Sequence, residues 1–89
     1  MSGAIHKCTD RFVETAIDDE VVLMDLESAD FFSLTGPSFD IWQLIDGTND
    51  ASAIAEALAA EYEADCATIG ADVDQFLADM LKAGFVRRA

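Results

Sequence analysis

Positive charge is scarce in this chain. Five Lys and Arg stand against 18 Asp and Glu, a formal net charge of −13 over 89 residues. Proteins that hold nucleic acid gain affinity by displacing counterions from phosphates with Lys and Arg. Nucleic acid is therefore not an expected partner, and neither is an anionic membrane surface. Long apolar runs are also missing. None reaches the roughly 18 residues that span a bilayer, and the opening MSGAIHKCTDRF has no basic segment followed by an apolar one. Neither a membrane helix nor an export signal is predicted, and a cytoplasmic setting follows.

Histidine occurs once, at His6, and cysteine twice, at Cys8 and Cys66. A Cys-His nucleophile pair of His6 and Cys8 would sit in a terminal stretch, residues 1–10, that is expected to be flexible. No C-x-x-C or H-E-x-x-H spacing is present, so no metal site is expected and the thiols are read as reduced. The acidic groups 18–20, 61–65 and 72–79 do not follow the spacing of a calcium loop. They read as solvated helix faces and caps. No glycine-rich phosphate loop exists among the five glycines. An enzyme is not expected, nor is a cofactor.

The hydrophobic fraction is 52%, enough for one small folded domain over residues 11–87. Short apolar runs come first. Residues 11–17 are rich in β-branched types, and Asp18-Asp19 supplies a turn. In residues 20–26, Val22, Met24 and Leu26 alternate with Val21, Leu23 and Asp25. Glu27-Ser28-Ala29 connects to residues 30–34, where Phe32 and Leu34 share one face and Phe31 and Ser33 the other. The pattern predicts a three-stranded antiparallel sheet.

Helical spacing follows. Pro37 suits a first helical position, and residues 37–45 carry Ile41, Trp42 and Ile45 before Asp46-Gly47. Asp50 is placed as the N-cap of a helix with the stripe Ile54, Leu58 and Tyr62. Asp65 is a further cap candidate. The last helix, 66–83, carries Val73, Phe76, Leu77 and Met80 and closes at Gly84. Phe85-Val86 is expected to fold back onto the core. Strands followed by three helices give an α+β, winged helix-turn-helix-like fold.

An open three-stranded sheet has free edges, and a free edge is a template for an added strand. On this register Phe31 is exposed beside such an edge. On the last helix Asp72 and Asp79 form a candidate acidic rail for a basic peptide.

The stretch VVLMDLESADFFSLTGPSFDIWQLIDGTND resembles the PqqD family. The elements of the likeness are the apolar strand Val22–Leu26, Phe32-x-Leu34, Ile41-Trp42 and the exit Asp46-Gly47-Thr48. Later come Ile54, Leu58, Tyr62, Asp72-Val73, Phe76-Leu77, Leu81 and Gly84-Phe85-Val86. The likeness runs from about residue 20 to 87. It implies a RiPP recognition element, a non-catalytic domain that binds the leader segment of a ribosomally made precursor peptide. Such a domain presents the precursor to a modifying enzyme, for example a leader peptidase, a cyclase or a radical enzyme. The leader would add as an antiparallel strand to residues 30–34, touching Asp30, Phe31, Phe32, Ser33 and Leu34. It would pack on helix 66–83, with Val73, Phe76 and Met80 as floor and Asp72, Gln75 and Asp79 as rim. Thr35 and Cys66 depart from the family pattern, which often has asparagine and proline there. The scarcity of arginine favours a lasso-type or similar pathway, with a PqqD-like chaperone of pyrroloquinoline quinone synthesis as the alternative. Two readings remain: a winged-helix DNA-binding protein, which charge opposes, and a small acidic carrier or toxin-system partner docking through helices, although Ser28, Ser33, Ser38 and Ser52 lack the Asp-Ser-Leu-type setting of a carrier. A monomer or weak homodimer is expected.

Overall fold

The computed structural model describes residues 3–88. The strands are β1 (Ile5–Lys7), β2 (Phe12–Ile17), β3 (Glu20–Asp25) and β4 (Phe31–Thr35). The helices α1 (Pro37–Gln43), α2 (Ala51–Tyr62) and α3 (Cys66–Ala83) follow, and β5 (Val86–Arg88) comes last. Strands β2, β3 and β4 form an antiparallel sheet in that order, and β1 pairs with β5 in a separate two-stranded ribbon. The α+β class and the three-stranded sheet agree with the sequence pattern.

Polar side chains set the connections. The Asp25 carboxylate accepts from the backbone N–H of Glu27 at 2.8 Å and of Ser28 at 3.4 Å. The Glu27 N–H is the main reason its pKa is lowered. The turn closes with Ala29 in the left-handed region, φ 62°, where a Cβ costs about 1–2 kcal/mol. Asp50 caps α2 by accepting from Ala53 N–H, and Asp65 caps α3 by accepting from Ala67 N–H. Gly84 ends α3 at φ 82°. Helix α1 stops at the Leu44 cap, short of the predicted residue 45. Asp46 instead organises the following loop, accepting from Thr48 N–H, the Thr48 hydroxyl and Asn49 N–H.

The inner sheet face carries Phe12, Val21, Leu23 and Leu34, which join Trp42, Leu58, Leu77 and Phe85 in one core. Its centre is aromatic. Phe12 meets Trp42 edge-on at 5.5 Å and Phe85 at 5.4 Å, and Phe32 meets Phe85 at 5.2 Å. The Lys7 ammonium lies 4.5 Å from the centre of the Trp42 ring, and burial lowers its pKa. Among the described residues, Trp42 Nε1 is a buried side-chain polar atom without a hydrogen-bond partner.

Two expectations are corrected. The stretch 1–10 was expected to be flexible; residues 1 and 2 lie outside the described residues, but Ile5–Lys7 is a strand paired with Val86–Arg88. Ile5 is fully buried, and its N–H donates to the Asn49 carbonyl at 2.9 Å while its own carbonyl accepts from Gly47 N–H. The second concerns the α2 stripe. Tyr62 remains 39% exposed and Ala55 is buried with Ile54 and Leu58 instead. The Tyr62 hydroxyl donates to the Asp40 carboxylate, which holds the ring at the surface.

Leu34→Ala is expected to cost about 2–5 kcal/mol and Trp42→Ala about 3–5 kcal/mol, read from chemical denaturation; a variant as stable as wild type contradicts this core. Ala29→Gly is expected to stabilise by about 1 kcal/mol through relief of the left-handed strain. A lower melting temperature contradicts the assigned turn.

Candidate functional site

Strand β4 pairs with β3 on one side and has no strand on the other among the described residues. Which of its residues face that open side follows from the ladder. Antiparallel strands alternate hydrogen-bonded and non-hydrogen-bonded pairs. Asp25 N–H donates to the Asp30 carbonyl at 2.8 Å, while Leu26 N–H donates to the Arg11 carbonyl at 3.1 Å. Odd-numbered residues of β3 therefore turn their backbone groups to β4, and even-numbered ones to β2. With Leu23 opposite Phe32 and Val21 opposite Leu34, the β4 residues bonded to β3 are Phe32 and Leu34. Phe31, Ser33 and Thr35 turn their N–H and C=O groups to the open edge.

The side chains of β4 divide the other way. Leu34 is buried and Phe32 is half-buried on the inner face, and Phe31 is 70% exposed on the outer face. The strand FFSLT carries no charge and no proline. The lysines, prolines and bulges that commonly blunt an edge are absent from β4.

Past the end of β4 lies a recess of about 310 Å³ between α1 and α3, lined by Pro37, Ser38 and Ile41 on one side and Asp72, Gln75, Phe76 and Asp79 on the other. Gly36, at φ 58° and with nothing within 4 Å of the position a Cβ would take, turns the chain from β4 into α1. The recess thus begins just past the end of the edge. Gln75 Nε2 donates to Asp79 at 3.1 Å, fixing one side of the acidic rim. An apolar floor with carboxylates on its rim suits an apolar side chain followed by a cationic one.

The structure brings together four of the six helix residues named from sequence: Asp72, Gln75, Phe76 and Asp79. Val73 is fully buried and Met80 nearly so, and neither lines the recess. Both belong to the core, with Leu77. Asp30 sits before β4, its carbonyl and N–H occupied by Asp25 and the Ser28 hydroxyl. Its backbone is not available to an added strand. The contribution of α1 was not read from sequence, because Ile41 carries the signature of a core residue and is almost wholly buried. Among the described residues, no three His, Cys, Asp or Glu side chains gather as metal ligands.

Comparison with known proteins adds to this geometry. Residues 20–86 match the family model described as Coenzyme PQQ synthesis protein D (PqqD). Over 50 residues, 56% of the chain, the sequence is 50% identical to a PqqA binding protein of Rhodopseudomonas palustris (strain ATCC BAA-98 / CGA009). It is 48% identical over the same length to one from strain TIE-1. The chain spans about half the length of these curated relatives, 49% in each case. The fold is similar to the solved structure of TbiB1 in complex with the TbiA(beta) leader peptide, with a TM-score of 0.81 and 32% identity. That likeness covers 91% of this chain and 94% of the other. With a family match across most of its length, the chain belongs to the PqqD family.

Proposed function

We propose that this chain is a non-catalytic recognition module that binds the leader segment of a ribosomally made precursor peptide and presents it to a modifying enzyme in the cytoplasm. The observation that carries this reading is the uncharged open edge of β4 running into the acid-rimmed recess on α3. The leader adds as a strand against Phe31, Ser33 and Thr35, exchanging backbone hydrogen bonds with them. Its alternate side chains then point toward Phe76, and a Lys or Arg among them meets Asp72 or Asp79.

Magnitudes show that both parts are needed. About six added backbone bonds at about 1 kcal/mol each leave at most about 2 kcal/mol in hand against an association cost of about 4–15 kcal/mol. A micromolar complex requires a net of about −8 kcal/mol. Side-chain burial in the recess has to supply the difference, at about 25 cal/mol per Å² of apolar area. Selectivity therefore resides in the recess, and the edge supplies direction.

The precursor has two candidate classes. The likeness to leader-bound TbiB1 over nearly the whole chain supports a leader peptide of a lasso-type or similar product. The 50% identity to PqqA binding proteins supports a PqqA-like precursor, and so a role in pyrroloquinoline quinone synthesis. The enzyme that receives the peptide is a peptidase, cyclase or radical enzyme acting on the presented segment.

Calorimetric titration with a synthetic leader, taken from a short reading frame beside the gene, tests the two parts separately. Ser33→Pro removes an N–H from the open edge while leaving the ladder to β3 intact. It is expected to weaken binding at least tenfold with the fold kept; full affinity contradicts strand addition at β4. Asp79→Lys is expected to weaken a lysine- or arginine-bearing leader about three- to tenfold at an unchanged melting temperature, and unchanged affinity removes the acidic rim from the account.

A further inference from the structure

The outer face of the β2–β3–β4 sheet carries apolar side chains that nothing in the described chain covers. The register sets Val13, Met24 and Phe31 in one row across the three strands, with Thr15, Val22 and Ser33 in the next. Leu26 continues the face beyond β3 through its bond to Arg11, and Ile17 extends it along β2. Five large apolar side chains are exposed among the described residues, and four of them are here: Val13 (46%), Ile17 (52%), Leu26 (53%) and Phe31 (70%). Such clustering marks a contact surface, whereas single exposed apolar residues do not.

Charge and size select the occupant. The ends of the face are acidic: Asp18, Asp19 and Glu20 at one turn, Glu27 and Asp30 at the other. No Lys or Arg lies within β2, β3 or β4. The adjacent Arg11 is paired with Glu27 at 3.3 Å. A second copy would bring another −13 against these ends. At about 4.8 Å between strands and about 3.3 Å per residue, the face measures about 15 by 20 Å. That is well below the roughly 800 Å² per partner of a standard protein interface. It matches the footprint of about 13 residues of one helix, about 10 Å wide and 20 Å long.

We propose that this outer face docks a single amphipathic helix of a partner protein, with an apolar stripe over Val13, Met24 and Leu26 and Lys or Arg at its flanks. The site lies on the opposite side of the sheet from the α1–α3 recess. It does not depend on the peptide reading: its centre, Val13, Met24 and Leu26, lies on β2, β3 and the turn after β3, and only Phe31 borders the edge where the leader would add.

The probe is a 14-residue leucine–lysine amphipathic peptide, titrated into isotope-labelled protein and followed by amide shifts, with a leucine–glutamate peptide as its counterpart. The expected shifts centre on β2, β3 and the 26–29 turn, and the lysine peptide binds at least tenfold more tightly than the glutamate one. A spin label on the peptide is expected to broaden the amides of Val13, Val22 and Met24 in the unaltered protein. The double variant Val13→Ser, Leu26→Ser, with its fold confirmed by its amide spectrum, is expected to lose at least tenfold in affinity. Shifts or broadening centred on α1 and α3, equal binding of the two peptides, or undiminished affinity in the double variant would each overturn the proposal. So would sedimentation showing that the unaltered protein alone dimerises and the double variant does not, since the occupant is then a second copy.

Discussion

The contact of Phe85 with Phe12 and Phe32 is the one on which the arrangement depends. It joins a residue just after α3 to β2 and β4, the two outer strands of the three-stranded sheet. Trp42 extends the cluster to α1 through Phe12. A chain this short has few other ways to hold a small sheet against three helices, because its buried area is limited. Edge-on aromatic pairs add about 0.5–1.5 kcal/mol each beyond the area they bury. The ribbon of β1 and β5 follows from the same contact: with Phe85 fixed in the core, its carbonyl accepts from Cys8 N–H and Val86–Arg88 is drawn alongside Ile5–Lys7.

The consequence for function is geometric. Phe32 and Leu34 are held from within by the core and from one side by β3, so β4 is a firm template whose remaining bonding capacity faces outward. The recess is equally fixed, since Phe76 is anchored in the core while its neighbours Asp72, Gln75 and Asp79 stay at the surface. On the proposed reading a peptide arriving there would meet an ordered edge and an ordered pocket, which reduces the entropy cost of binding. Negative charge over the molecule assists the approach of a cationic segment and discourages self-association.

Much of this was legible in the sequence because its signals are local. The caps Asp50, Asp65 and Gly84, the turn at Asp18-Asp19 and the alternation Val21, Leu23 against Val22, Met24 depend on neighbours a few residues away. The ribbon was not legible. Strands of three residues, such as Ile5-His6-Lys7, show no alternation worth the name, and their pairing spans nearly the whole chain. The site divides in the same manner. Helical spacing puts Asp72, Gln75, Phe76 and Asp79 near one another, but the rotation of α3 decides that Val73 and Met80 point inward. That rotation is set by packing against α2, α1 and β5, which lie far from α3 or on both sides of it in sequence. The share of α1 was hidden for a related reason: Ile41 is both core and recess wall, and only the fold separates the two roles.

The most direct measurement is an amide-shift titration of isotope-labelled protein with the synthetic leader from the neighbouring reading frame, read as a residue map. The largest changes are expected on Phe31, Ser33 and Thr35 and along the recess face of α3 at Asp72, Gln75, Phe76 and Asp79. The amides of Phe32 and Leu34, already bonded within the sheet, should move less. Saturable binding with shifts centred away from β4 and α3 would contradict this expectation.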